Sequence, residues 1–129
     1  GLTFNGEELV MSDGGNQIRF LDPMTFEETR RLTVTLRGNP LPNLNELEWV
    51  DGELFANVWK TEAIVRIDPK SGAVTGIIDL RGLLADEDIV PGETDVLNGV
   101  AYKGEENVIY VTGKNWPKLF KVQLVEMNN

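Results

Sequence analysis

One phrase occurs twice in this chain and constrains its architecture more than any other feature. FLDPMTFEETRRL (residues 20–32) and RIDPKSGAVTGII (residues 66–78) align in register. Each sets an Asp-Pro pair at the end of an alternating run, and Pro ends a strand because it has no N–H for the ladder. The same order of elements recurs around both phrases. The first copy reads as strands over residues 1–4, 8–12, 17–21 and 28–35, and the second as strands over 45–50, 53–59, 63–67 and 73–80. A third copy supplies strands over 97–102, 108–114 and 118–125 and stops before a fourth. Four short antiparallel strands repeated every 40–50 residues or so are the signature of a propeller blade. The expected fold class is all-β, a partial β-propeller with two full four-stranded blades and most of a third. An open β-sandwich with coincidental repetition is the alternative.

The second copy opens with LNELEWVDGELFANVW, residues 44–59. Asp51-Gly52 between two alternating runs is a strong hairpin signal, because both residues tolerate positive φ. A two-residue turn there sets Val50 against Glu53 and Trp49 against Leu54. Continued without interruption, the ladder sets Asn45 against Val58 and Leu44 against Trp59. An amide and an indole then share the open end of the hairpin. The rest of the chain is connector. Asn39-Pro40-Leu41-Pro42-Asn43 reads as a stiff link, and residues 83–89 as a short helix stopped by Pro91-Gly92. Asp86, Glu87 and Asp88 read as a solvated face, since they lack the alternating ligands and central Gly of a calcium loop. The polar tail over residues 126–129 is expected to fray.

Composition narrows the chemistry. The chain of 129 residues has no Cys and no His, so thiol nucleophiles, zinc–thiolate sites and imidazole bases are excluded within it. A formal charge of −9 argues against nucleic acid or an anionic membrane as partner. No apolar run approaches the roughly 18–20 residues of a membrane-spanning helix.

Aligned second strands place Gly14, Trp59 and Lys114 at equivalent positions, and Asn45 and Asn98 begin equivalent first strands as LNE and LNG. The innermost strands of a propeller run along its channel, so one mouth gathers Asn45, Trp59, Asn98 and Lys114, with Trp116 beside them. Amide and ammonium donors suit a carbonyl oxygen that gains negative charge, and an indole supplies a flat apolar wall. No base is evident: strand alternation puts Glu46 on the face opposite Asn45. A lactonase-type propeller hydrolase would need a metal held by several convergent carboxylates, and none are gathered at this mouth. A non-catalytic propeller module that binds peptide or protein is the remaining alternative.

LNELEWVDGELFANVWKTEAIVRIDPKSG, DVLNGVAY and VTGKNWPKLF closely resemble the glutamine cyclotransferase family of plants and bacteria, and the likeness extends from GLT and SDG to the last strand. The resemblance implies a five-bladed propeller that converts the N-terminal glutamine of peptides to pyroglutamate with release of ammonia. It implies no metal and no other cofactor. It maps an active-site Asn onto Asn45, a channel Trp onto Trp59 and an active-site Lys onto Lys114. Family members are longer, and their acid/base Glu lies in the region before Gly1. Residues 1–129 are thus expected to be the C-terminal part of a single propeller domain. The missing N-terminal half of the propeller is then a required partner, the chain alone is catalytically silent, and its exposed blade faces leave it marginally stable or self-associating. The resemblance also implies a secreted or periplasmic full-length parent.

Overall fold

The structure, a computed structural model, describes residues 1–127. Asn128 and Asn129, the end of the tail expected to fray, lie outside the described residues. The first sheet is β1 (Leu2–Phe4), β2 (Leu9–Ser12), β3 (Gln17–Leu21) and β4 (Glu28–Thr33), hydrogen-bonded in sequence order. A two-stranded ribbon follows, β5 (Thr35–Leu36) with β6 (Asn39–Pro40). The second sheet is β7 (Leu44–Val50), β8 (Glu53–Val58), β9 (Ala63–Ile67) and β10 (Val74–Asp79). The third is β11 (Leu97–Lys103), β12 (Val108–Gly113) and β13 (Phe120–Val122). Every pairing within the three sheets is antiparallel between sequence neighbours, the up-and-down order of propeller blades.

The Asp-Gly hairpin forms as its sequence predicts. Asp51 (φ 47°) and Gly52 (φ 84°) are both left-handed, and Val50 pairs with Glu53 and Trp49 with Leu54. Farther along, the expected register fails. Leu47 pairs with Ala56 but Leu44 pairs with Val58, so Asn45 and Glu46 together face Asn57. This is a β-bulge, one extra residue on one strand. Asn45 therefore does not oppose Val58, nor Leu44 Trp59. Leu44 and Leu47, three apart, are both buried in one cluster, which uninterrupted alternation forbids. β11 repeats the device: Leu97 pairs with Gly113 and Val100 with Val111, leaving Asn98 and Gly99 against Thr112.

One strand end and two connectors also depart from expectation. The strand expected to run through residue 35 ends at Thr33, and the link through Asn39 and Pro40 folds back as β6, because Arg37 (φ 52°) and Gly38 (φ 83°) supply a second turn of the Asp-Gly kind. The expected helix over 83–89 is a single 3-10 turn, Asp86–Asp88, with extended backbone on either side and no side-chain cap. Three adjacent carboxylates with no interleaved base give it little reason to lengthen.

Blade packing explains the apolar run LFANV. β8 lies in the middle blade and is buried on both faces. Leu54, Ala56 and Val58 join Val10, Ile18 and Phe20 of the first blade, while Phe55 joins Leu97, Ile109 and Val111 of the third. The innermost strands β1, β7 and β11 share no ladder, since each belongs to a different sheet. Glu48 on β7 spans the gap. Its Oε1 accepts from Thr3 Oγ1 at 2.9 Å and from Trp49 N at 3.2 Å, and its Oε2 from Tyr102 N at 2.9 Å. One carboxylate thus ties three blades together.

The repeated Asp-Pro phrase folds into the same turn twice. Asp22 Oδ1 accepts from Met24 N and Thr25 N, and Asp68 Oδ1 from Lys70 N. These backbone N–H bonds, Met24 first for Asp22 and Lys70 first for Asp68, hold both carboxyls below the usual aspartate range.

Two outcomes are expected. Glu48→Ala leaves the Tyr102 N–H without its acceptor and should cost about 1–3 kcal/mol in urea unfolding, whereas Glu48→Gln, which keeps one oxygen acceptor, should cost less. A carboxyl depressed in the native state contributes stability above its unfolded pKa and loses it as pH falls through its native one. Asp68→Asn should therefore lower the melting temperature at pH 7, and the gap from the unsubstituted chain should close as pH falls below about 4.

Candidate functional site

The two bulges put two of the candidate residues, Asn45 and Asn98, together. A bulge bends its strand and re-aims a side chain. Asn45 and Asn98 each occupy the first bulge position of neighbouring blades, and Asn45 Nδ2 donates to Asn98 Oδ1 at 3.2 Å. The equivalence read from LNE and LNG is thus a direct contact. Among the described residues, the second Asn45 N–H and both Asn98 N–H groups have no protein acceptor. The bulge also removes the reason for placing Glu46 on the face opposite Asn45, because alternation does not carry across an inserted residue.

Trp59 and Lys114 stand one step beyond these bulges, at matching strand ends. Trp59 N donates to Asn43 O at 2.8 Å, and Lys114 N to Val96 O at 2.9 Å, so each extends its ladder by one residue. Asn43 takes a left-handed φ of 66° there, which an Asn tolerates. Trp59 is 40% exposed, and Lys60 Nζ sits 4.5 Å from its ring centroid. The ring face therefore already attracts a cation. Lys114 is exposed, and its Nζ has no ion pair among the described residues. Gly14, the first-blade counterpart, has no side chain to offer; its carbonyl accepts from Asn43 N at 3.2 Å, at the entry to the second blade.

Trp116 is placed differently from the other four. Its Nε1 donates to Asp95 O at 2.8 Å, its ring meets Phe120 edge-on at 6.1 Å, and it packs into the core between the second and third blades. A Cβ on Gly113 would come within 2.2 Å of the Trp116 ring, so the indole lies directly on that backbone. Its outer side lines a cleft of about 220 Å³ shared with Lys60, Leu84, Ile89 and Leu97. Of the candidate residues Trp116 lines this cleft; Asn45, Trp59, Asn98 and Lys114 are not among its lining residues.

The acidic turn is not part of this group. Asp88 Oδ2 accepts from Lys118 Nζ at 2.6 Å, and this hydrogen bond, with the attraction of the carboxylate, holds Lys118 above the usual lysine range. The described residues contain no group of three or more Asp and Glu placed to hold a metal.

Two residues of the neighbourhood were not singled out from sequence, Ser12 and Asn57. Both are buried, and both touch the bulges: Ser12 Oγ donates to the Asn45 carbonyl, and Asn57 Oδ1 accepts from Gly99 N at 3.0 Å. The available signal was an amide inside the apolar run LFANV, where a strand buried on both faces has no place for an unpaired polar group.

Residues 1–124 match the glutamine cyclotransferase family. The chain is 40% identical over 128 residues to glutaminyl-peptide cyclotransferase of Arabidopsis thaliana, covering 96% of this chain and 39% of that protein. It superimposes on the crystal structure of Myxococcus xanthus glutaminyl cyclase with a TM-score of 0.88 at 38% identity, covering 95% of this chain and 53% of that one. The chain thus spans about two fifths of the plant relative and about half of the crystallised one. With the family pattern running through all three blades and both bulges, the chain belongs to the glutamine cyclotransferase family.

Proposed function

We propose that the complete protein carrying this chain is a glutaminyl-peptide cyclotransferase, and that these residues form the carbonyl-binding side of its active site. The α-amine of an N-terminal glutamine attacks its own γ-carbonyl carbon. The new C–N bond closes the five-membered lactam, the bond to the γ-amide nitrogen breaks, and one proton passes from the attacking amine to the departing ammonia. Both reacting groups belong to one residue, so the protein's task is to hold the folded-back conformer and to stabilise the tetrahedral oxyanion. The observation that carries this reading is the Asn45–Asn98 amide pair set by two bulges between the strand ends of Trp59 and Lys114. In this reading the free Asn45 N–H and the Lys114 ammonium serve the oxyanion. Asn98 orients Asn45, Trp59 walls the pocket against water, and Trp116 bounds its outer side. The proton shuttle is assigned, from the resemblance, to a Glu outside this chain.

The same proposal makes residues 1–129 part of one propeller whose other blades lie outside them. Leu2 and Phe4 support this, at 59% and 50% exposed on the face of β1 opposite Thr3, the residue that bonds to Glu48. A preceding blade would cover them.

Kinetics of the complete protein with a short N-terminal glutaminyl peptide test the assignment. The γ-oxygen carries little excess charge in the bound amide and much more in the transition state. Asn45→Ala and Lys114→Ala should therefore each lower kcat by about 10²–10³ with a smaller change in KM. Asn45→Asp exchanges a donor for an acceptor and should harm kcat at least as much. Trp59→Phe should mainly raise KM. A folded Asn45→Asp variant with unchanged kcat would remove Asn45 from the oxyanion site, and a complete protein that binds the peptide without releasing ammonia would make it a binding module instead.

A further inference from the structure

Among the described residues, Ser12 and Asn57 are the polar side chains found in the buried interior, at 6% and 0% exposed. They hold the same place in successive blades. Ser12 pairs with Ile18 across the second and third strands of its blade, and Asn57 pairs with Ile64 across the same strands of the next. Each reaches across a blade interface to the first strand of the following blade, and each meets a bulge there. Ser12 Oγ donates to the carbonyl of Asn45, and Asn57 Oδ1 accepts the N–H of Gly99 at 3.0 Å. Thr112, the residue facing the third-blade bulge, is their counterpart; it has no following blade among the described residues, and its Oγ1 donates to Lys118 O at 2.8 Å.

Packing alone does not account for Asn57. Its Nδ2 is buried and has no hydrogen-bond partner among the described residues. An unpartnered buried donor opposes folding, so an apolar residue of the same shape would serve the core better if the core were the only consideration. What Asn57 alone supplies is an acceptor for a bulge N–H that the ladder cannot satisfy, because Asn98 and Gly99 share a single residue of β12. Gly99 sits at φ 133°, a conformation open to glycine but not to L residues, and there its N–H is turned to the Asn57 amide oxygen.

We propose that Ser12 and Asn57 are positioning residues for the site. Each pins the bulge of the next blade by one hydrogen bond to its backbone, and the two bonds together fix where the Asn45 and Asn98 amides meet. Ser12 sets the Asn45 end of that contact and Asn57 the Asn98 end. The kinetic consequence rests on the cyclotransferase reading; the structural one does not.

The test uses the complete protein with asparagine labelled selectively with ¹⁵N, the Asn45 side-chain resonance being assigned by its loss in Asn45→Asp. In the unsubstituted protein the two Asn45 Nδ2 protons should be well separated, since one is hydrogen-bonded to Asn98. Asn57→Ala and Ser12→Ala should move that pair towards a free asparagine side chain and lower kcat for a glutaminyl peptide about tenfold or more, with KM within about threefold. Asn57→Asp keeps an oxygen at the same place and should restore both the resonance pair and kcat to within about threefold. An unmoved Asn45 pair in folded Asn57→Ala and Ser12→Ala overturns the proposal, as does a folded Asn57→Asp that loses both readouts. Should Asn57→Ala fail to fold, Asn57→Asp and Ser12→Ala decide it. If the unsubstituted protein releases no ammonia, the cyclotransferase reading fails while the resonance arm still judges the clamp.

Discussion

The blades of this chain are joined without a backbone ladder between them, and everything at the site follows from how that gap is bridged. β1, β7 and β11 lie next to one another but in separate sheets, so their relative placement depends on side chains. Apolar packing supplies most of the attraction between blades, but it is not directional and does not set register. Direction comes from a few polar contacts. The Glu48 carboxylate gathers donors from all three inner strands, and its two oxygens make every one of these bonds at once only in one relative placement of the blades. A buried or half-buried carboxylate that is fully hydrogen-bonded specifies geometry at a modest gain in stability.

The bulges are the second part of that arrangement. A uniform antiparallel ladder would leave Asn45 and Asn98 in line with the pleat of their own strands. The inserted residue bends each strand instead, and the two amides meet at 3.2 Å across a blade interface. The two bulges share a register shift but not a conformation. Gly99 is left-handed at the second bulge position of the third blade, whereas Glu46 holds that position in the second blade without positive φ. This difference fits the different clamps: a hydroxyl donor to a carbonyl in one blade, an amide acceptor for an N–H in the other.

Much of the fold was legible in the sequence because blades are local objects. Asp51-Gly52 fixed its hairpin through turn chemistry, and the Asp-Pro phrases fixed two equivalent turns through a carboxylate that bonds the backbone two and three residues on. The equivalence of Asn45 with Asn98, and of Trp59 with Lys114, also came from counting along repeats. What counting missed was the change of period. A hairpin ladder extended from its turn assumes two residues per repeat throughout, and nothing in Asp51-Gly52 reports a residue inserted six positions away. The signal lay in the apolar spacing, since Leu44 with Leu47 and Leu97 with Val100 are three apart yet share a buried face. The ribbon of β5 and β6 was missed because Arg37-Gly38 is a turn of the same kind as Asp51-Gly52 with alternation on one side only: Leu32, Val34 and Leu36 alternate before it, while Pro40 and Pro42 follow it.

The contrast between the two tryptophans shows why composition at a strand end is a weak guide to role. Both follow second strands, and both look from sequence like walls of one pocket. Trp116 has its N–H committed to the Asp95 carbonyl, its ring against Gly113 and Phe120, and only its outer side on the cleft. Among the described residues the Trp59 indole N–H makes no hydrogen bond; its backbone closes the ladder, the residue is 40% exposed, and Lys60 Nζ lies over its ring. An indole whose polar edge and one face are already used can shape a cavity but has little freedom to follow a substrate. One whose ring is exposed can stack on a ligand. Both strands leave by the same turn, with Lys60 (φ 67°) and Asn115 (φ 60°) left-handed at matching positions and Thr61 N and Trp116 N bonded back to Val58 O and Gly113 O; Trp59 stands before that turn, and Trp116 after it, where its ring folds back over Gly113.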